Sequence, residues 1–233
     1  ARDKGVMMHT HLAETHDEEQ YCIDTYGKRP LDLVRELGWE GPDVWFAHAV
    51  FMDTAEIGAM GRAGTGIAHC PSSNMRLASG IAPVRSFLSA GVGVGLGVDG
   101  SASNDGNHMI GEARQAMLLA RLDAAPSLTG GELMTAREAL RIATRGGAAV
   151  LGRPDLGSLE PGKAADFCAI SLDRIEYAGA QADPVAAVLF AAPTRVDHTY
   201  VHGEAVVSAG RLVTADVGEI VREHNNLASA LLA

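Results

Sequence analysis

The sequence predicts an α/β protein built on parallel strands, and three observations carry that expectation. Four short apolar runs each lead into a polar residue able to bind a metal: Val6–Met8 into HTHLAE, Val44–Ala47 into His48, Thr65–Ala68 into His69, and Val92–Val98 into Asp99. Segments of helical character, Asp17–Leu37, Asp53–Arg62 and Ala82–Ala90, separate the runs. A parallel strand needs a long crossover connection, so strands alternating with helices imply parallel pairing. In such sheets and barrels ligands collect at the carboxyl ends of the strands, where His11, His48, His69 and Asp99 all fall.

Taken in order, Met7–Leu12 is the first strand, with His9 and His11 two apart and therefore on one face. Glu14 lies three residues past His11, where the strand turns into a loop. A helix is expected from Asp17 to Leu37, with room for a break at Gly27–Pro30. Val44–His48 is the second strand, and Asp53 or Thr54 caps the helix Ala55–Arg62. Gly64–Cys70 is the third strand, followed by PSSNMRLASG, read as a long polar loop. The fourth strand alternates Gly with Val and Leu before Asp99, a pattern of burial on both faces rather than a nucleotide fingerprint. Gly111–Leu122 and Thr135–Leu151 read as helices, the second with a Thr135/Glu138 capping box. After the turn-rich LGSLEPGK the texture changes to short strands, Asp166–Leu172, Val196–His202 and Glu204–Val213, and Val217–Leu232 closes the sequence as an amphipathic helix.

Composition excludes several classes of function. The 233 residues suffice for one large domain or two modest ones, and 47% hydrophobic with 21% charged residues is ordinary for a globular protein. A formal net charge of -10 argues against binding a phosphate backbone. No apolar run reaches membrane-spanning length, so no membrane partner is expected. Cys22, Cys70 and Cys168 are too few and too scattered for a disulfide framework, which points to a reducing cytoplasm. Cys70 beside His69 is read as a small buried residue at a strand end. The opening ARDKGV has no initiator Met and comes just before a buried strand, so an upstream portion is expected outside this sequence.

The polar strand tips suit one kind of chemistry. A hydrolytic metal site needs firm ligands, an open position for water and a base for its proton. Imidazole and carboxylate suit zinc or iron, which makes His11 and Asp99 the first candidates for ligands. Glu14 is placed to move a proton to a leaving group, and His48 to orient water or steady developing charge. His69, Ser73, Asn74 and Arg76 are candidates for substrate contact, with loop-building an equal explanation of His69, Ser73 and Asn74. His9, His16, His108, His198, His202 and His224 are read as hydrogen-bonded core or loop residues.

HTHLAET, FAHAV, IAHCPSSNMRLASG, GLGVDGSASND and LGSLEPGKAADF together resemble the amidohydrolase superfamily, in its cytosine-deaminase-like branch. Within that branch, HCPSSNMRLASGIAPV and VDGSASNDGNHMI look most like 8-oxoguanine deaminases. The resemblance implies the second half of a (β/α)8 barrel over residues 1–155, a small β-sandwich portion over 156–215, and a C-terminal helix over 216–233. It also implies one divalent metal, zinc or iron, with His11 and Asp99 as ligands, Glu14 as proton shuttle and His48 as the charge-steadying histidine. The activity implied is hydrolytic deamination of a small heterocycle, 8-oxoguanine to urate plus ammonia, by a homo-oligomer. The sequence departs from the family in lacking an HxH pair upstream of His11, and His9-Thr10-His11 cannot supply it without vacating the later position. An s-triazine hydrolase and another purine or adenosyl deaminase are the alternatives within the family. A metal-free structural or binding barrel is the alternative of another class.

Overall fold

The four apolar runs form one parallel sheet in chain order: β1 (Met8–Leu12), β2 (Val44–His48), β3 (Gly66–His69) and β4 (Val94–Leu96). The computed structural model in which they are seen describes residues 1–124, 133–192 and 195–232. Leu12 pairs with His48 and His69 with Leu96, so the carboxyl ends of the strands come level at one end of the sheet. Alternation sends successive side chains to opposite faces. Leu12, Val44, Phe46, Ile67 and Val94 join Ile57, Met60, Phe87 and Met117 from the helices in one apolar core. The other face presents His9, His11, Trp45, Ala47, Ala68 and Gly95 to a cavity of about 210 Å³.

The connecting helices begin where the sequence supplies caps. In α1 (His16–Tyr26) the Thr15 hydroxyl accepts from the Glu18 amide, and Gly27 ends the helix at φ +68°. Pro30 then starts α2 (Pro30–Glu36), so the helical stretch expected over 17–37 breaks at Gly27–Pro30, where the sequence leaves room for it. Asp53 and Glu56 form a reciprocal capping box at the start of α3 (Thr54–Ala63). The stretch expected as a polar loop begins instead with α4 (Pro71–Arg76), followed by α5 (Val84–Ser89). Pro71 has its φ preset for a first helical turn, and Ser73 and Asn74 find buried partners that a solvated loop would not offer.

Helix α6 (Met109–Ala124) covers the core, and α7 (Ala136–Arg141) opens on the expected Thr135/Glu138 capping box. From α7 the backbone widens into a π-turn over Ile142–Gly146 and continues as α8 (Gly147–Val150). This widened stretch lies directly on β4. A Cβ on Gly146 would stand 2.1 Å from the Val94 carbonyl oxygen, and one on Gly95 would stand 2.9 Å from the Gly147 Cα.

Beyond residue 156 the described chain changes character. Pro184 to Ala191 form α9, a helix absent from the sequence-based expectation, with Asp183 capping the Ala186 amide. It packs on α6 and α7, and Leu189 is buried in the same core. Strands β5 (Phe167–Ala169), β6 (His198–Val201), β7 (Glu204–Ser208) and β8 (Arg211–Leu212) form a separate antiparallel sheet. Among the described residues it is a single sheet, without the facing sheet that a β-sandwich requires. The chain ends in α10 (Val217–Leu232), which has no buried residue.

Candidate active site

The level strand ends bring four of the expected residues into one group. His11 ends the exposed alternation of β1, and His48 is the last residue of β2. Asp99 follows β4 by three residues. His48 and Asp99 both hold left-handed backbone, at φ +69° and +61°. For a residue with a Cβ such conformations cost of order 1–3 kcal/mol, and they turn these two side chains across the sheet end instead of along the strand's alternation. His11 Nε2 lies 3.7 Å from Asp99 Oδ1. His48 Nε2 lies 3.5 Å from Glu14 Oε2 and 3.8 Å from Asp99 Oδ2. The His11 and His48 rings stack at 5.2 Å between centroids.

Glu14, Asp99 and His48 are each held from behind. The Glu18 carboxylate accepts from the Ala13 and Glu14 amides, both at 2.8 Å, which fixes the turn carrying Glu14. Ser73 Oγ donates to Asp99 Oδ2 at 2.6 Å, and Ser103 Oγ donates to the same oxygen at 3.0 Å. Both hydroxyls thus engage Oδ2 and leave Oδ1 on the His11 side. Burial works against ionisation of Asp99, but hydrogen bonds from Ser73, Gly100 and Ser103, with His48 nearby, hold its carboxyl down at about 2. His48 Nδ1 meets Asn74 Oδ1 at 2.7 Å, and neither side chain touches solvent.

A buried carboxylate ties the start of α4 to the loop after β4. Glu112, on α6, accepts from the Ser72 amide at 3.1 Å and from Asn104 Nδ2 at 2.8 Å. The same Asn104 amide reaches the Val98 carbonyl beside Asp99. Ser103, Asn104 and Glu112 were not among the sequence candidates. The first two stood in the quoted GSASND stretch, whereas Glu112 reads in sequence as an ordinary acidic residue of a first helical turn.

The four residues expected at the substrate lie in distinct surroundings. Ser73 is turned to Asp99 and Asn74 to His48. His69 is buried with neither ring nitrogen hydrogen-bonded, and burial, followed by the nearby His48, lowers its pKa to about 3. Arg76, on α4, is exposed and pairs with Asp105 of the loop after β4. Cys70 is buried, and that burial, with the Asp99 charge, pushes its thiol up to about 12, far from a reactive thiolate.

His11, His48 and Asp99 each offer one donor atom, all within 4.8 Å of one another. The buried His48 Nε2, facing this group without a hydrogen bond, is the atom a cation there would satisfy. Two imidazoles and a carboxylate form a donor set suited to zinc or iron, so the residues present fit such a metal.

A parallel sheet with histidines and an aspartate at its carboxyl ends defines the class to which this chain should be compared. The amidohydrolase family model matches residues 1–206, and the chain belongs to that family. It is 48% identical over 228 residues to an 8-oxoguanine deaminase of Pseudomonas aeruginosa, covering 98% of this chain and 49% of that protein. A 5-methylthioadenosine/S-adenosylhomocysteine deaminase of Natronomonas pharaonis is 40% identical, with 100% of this chain and 53% of that protein covered. The crystal structure of the atrazine chlorohydrolase TrzN from Arthrobacter aurescens TC1, complexed with zinc, superposes with a TM-score of 0.91 at 38% identity, covering 97% of this chain and 49% of that one. The chain therefore spans about half the length of these relatives.

Proposed function

We propose that this chain forms the second half of a (β/α)8 barrel in a metal-dependent hydrolytic deaminase of aminopurines, with 8-oxoguanine to urate plus ammonia as the reaction. The convergence of His11, Glu14, His48 and Asp99 at one end of the parallel sheet carries the reading. The choice of substrate rests on the 48% identity to an 8-oxoguanine deaminase. A triazine hydrolase is the second reading, favoured by the likeness to the atrazine chlorohydrolase. A metal-free structural barrel would leave the buried Nε2 of His48 and the left-handed backbone at His48 and Asp99 without a purpose. Residues 1–155 are the barrel half in this reading, 156–215 contribute to a small β domain, and 216–233 are a terminal helix. The protein works as a homo-oligomer in the cytoplasm, in keeping with free Cys22, Cys70 and Cys168. Among the described residues no helix is long and apolar enough to cross a membrane.

His11 and Asp99 would hold the cation, with His48 Nε2 within reach. A bound divalent metal supplies the Lewis acidity that makes water nucleophilic near neutral pH. Asp99 is ionised throughout the physiological range and accepts a proton from the attacking water. Water adds to the ring carbon bearing the amine, and His48, whose Nε2 faces Asp99 and can share the proton that Asp99 takes up, steadies the charge that develops. Glu14 delivers a proton to the ring nitrogen, takes the proton remaining on the added oxygen and passes it to the departing amine, so that the C–N bond breaks and ammonia leaves. The proton held by Asp99 then restores Glu14.

The test is ammonia release from aminopurines, pterins and triazines by the full-length protein, alongside metal content. Glu14→Gln should keep the metal and lose roughly 10²–10⁴-fold in turnover, the usual worth of a positioned proton donor. Asp99→Asn should lose both activity and metal. Loss of metal from Glu14→Gln would make Glu14 a ligand, and parent-like turnover by that variant would remove the shuttle. A parent enzyme active only on triazines would transfer the reading to the second substrate class.

A further inference from the structure

We propose that Asn74 is a positioning residue: its side-chain oxygen holds the proton of His48 on Nδ1 and so directs Nε2 toward Glu14 and Asp99. An amide oxygen can only accept, so Nδ1, 2.7 Å from Asn74 Oδ1, must be the donor in this contact. Both side chains are fully buried, which keeps water from replacing either partner. At the opposite edge of the ring, Nε2 has no hydrogen bond, although it faces Glu14 at 3.5 Å and Asp99 at 3.8 Å. A ring turned over would lose the Asn74 contact and take Nε2 out of the group.

The backbone around Asn74 is as fixed as its side chain. Its amide donates to the Cys70 carbonyl at 3.0 Å, and its carbonyl accepts from the Ser79 amide at 2.9 Å. Ser73 and Asn74 are consecutive on α4, and they engage Asp99 and His48 respectively. One short helix therefore orients two of the reacting side chains from outside the cavity. The same contact carries a mechanistic meaning, since the nitrogen a histidine presents is set by what its other nitrogen meets.

The kinetic part of this inference rests on the deaminase reading; the position of the proton does not. The test uses full-length protein with ¹⁵N-labelled histidine, the His48 signals being assigned by their loss in His48→Gln. The parent should show a protonated Nδ1. Asn74→Leu has a similar shape but no acceptor, so the proton should move to Nε2 and kcat should fall roughly 10–100-fold, with KM little changed. Asn74→Asp keeps the acceptor and should retain the Nδ1 proton and recover most of kcat. A parent protonated at Nε2 alone overturns the proposal, and that measurement stands even if Asn74→Leu does not fold. So does an Asn74→Leu protein with parent-like spectrum and turnover, or an Asn74→Asp protein as slow as the leucine variant. A parent with the Nδ1 proton in place but no ammonia release on any substrate would remove the deaminase reading and leave the proton assignment standing.

Discussion

The parallel sheet buries its two central strands, whereas the antiparallel sheet leaves every residue of its four strands at least partly exposed. Phe46 of β2 and Ile67 of β3 are 0% exposed, while Phe167 of β5 is 37% exposed. The parallel strands are held by helices packed over one face, so their stability is a matter of filled volume. The antiparallel strands rely on backbone ladders and on pairs such as Phe167 and Tyr200, stacked at 4.7 Å. The histidines and aspartate of the site stand on the first kind of sheet, where the backbone has least freedom to shift.

Replacing one buried and one exposed aromatic gives the widest separation. Phe46→Ala should destabilise the protein by about 3–5 kcal/mol, and Phe167→Ala by about 1 kcal/mol or less, in urea denaturation. Equal shifts in the two variants would erase the contrast. The next effect is an acid sensitivity that originates in the parallel sheet. His69 is held neutral, its pKa lowered from 6.5 to about 3, so below 6.5 the unfolded chain takes up a proton before the folded one does. The stability this group supplies is complete above 6.5 and is lost as pH falls toward 3, by roughly 1.4 kcal/mol per pH unit. His69→Gln should flatten that part of the stability–pH curve, and an unchanged slope would show that His69 does not set it. The smallest effect tests the antiparallel sheet alone. A double-mutant cycle with Phe167→Ala and Tyr200→Ala should return a coupling of about 0.5–1 kcal/mol. A coupling of zero would mean that the stacked pair adds nothing beyond its backbone ladder.

The strands of the parallel sheet were legible because each is an apolar run that stops at a polar residue, and burial makes such runs conspicuous. Helix α9 was not legible from periodicity: PVAAVLFA is apolar on every side, so it shows neither a 3.6-residue nor a 2-residue repeat. Asp183 and Pro184 were the available signal, a cap followed by proline at the first helical position. Helix α4 was hidden by its Ser-Ser-Asn composition, which suits turns as well as helix starts. The helix bears on the site, because from it Ser73 and Asn74 face Asp99 and His48. The left-handed backbone at His48 and Asp99 had no sequence signal, because neither residue is glycine.

The flush contact between the π-turn and β4 has a consequence for how this site can vary. Where Gly146 meets Val94 and Gly95 meets Gly147, no side chain lies between helix and strand. The spacing there is a dimension of the backbone itself, like the fixed jaw of a gauge. Where side chains meet side chains, a methyl group gained at one position can be absorbed in part by a rotamer at the next. Here a single added carbon has nowhere to go, and the strand that leads to Asp99 must shift with it. The accuracy with which one carboxylate is delivered is thus set by a contact of backbone on backbone and not by any side chain.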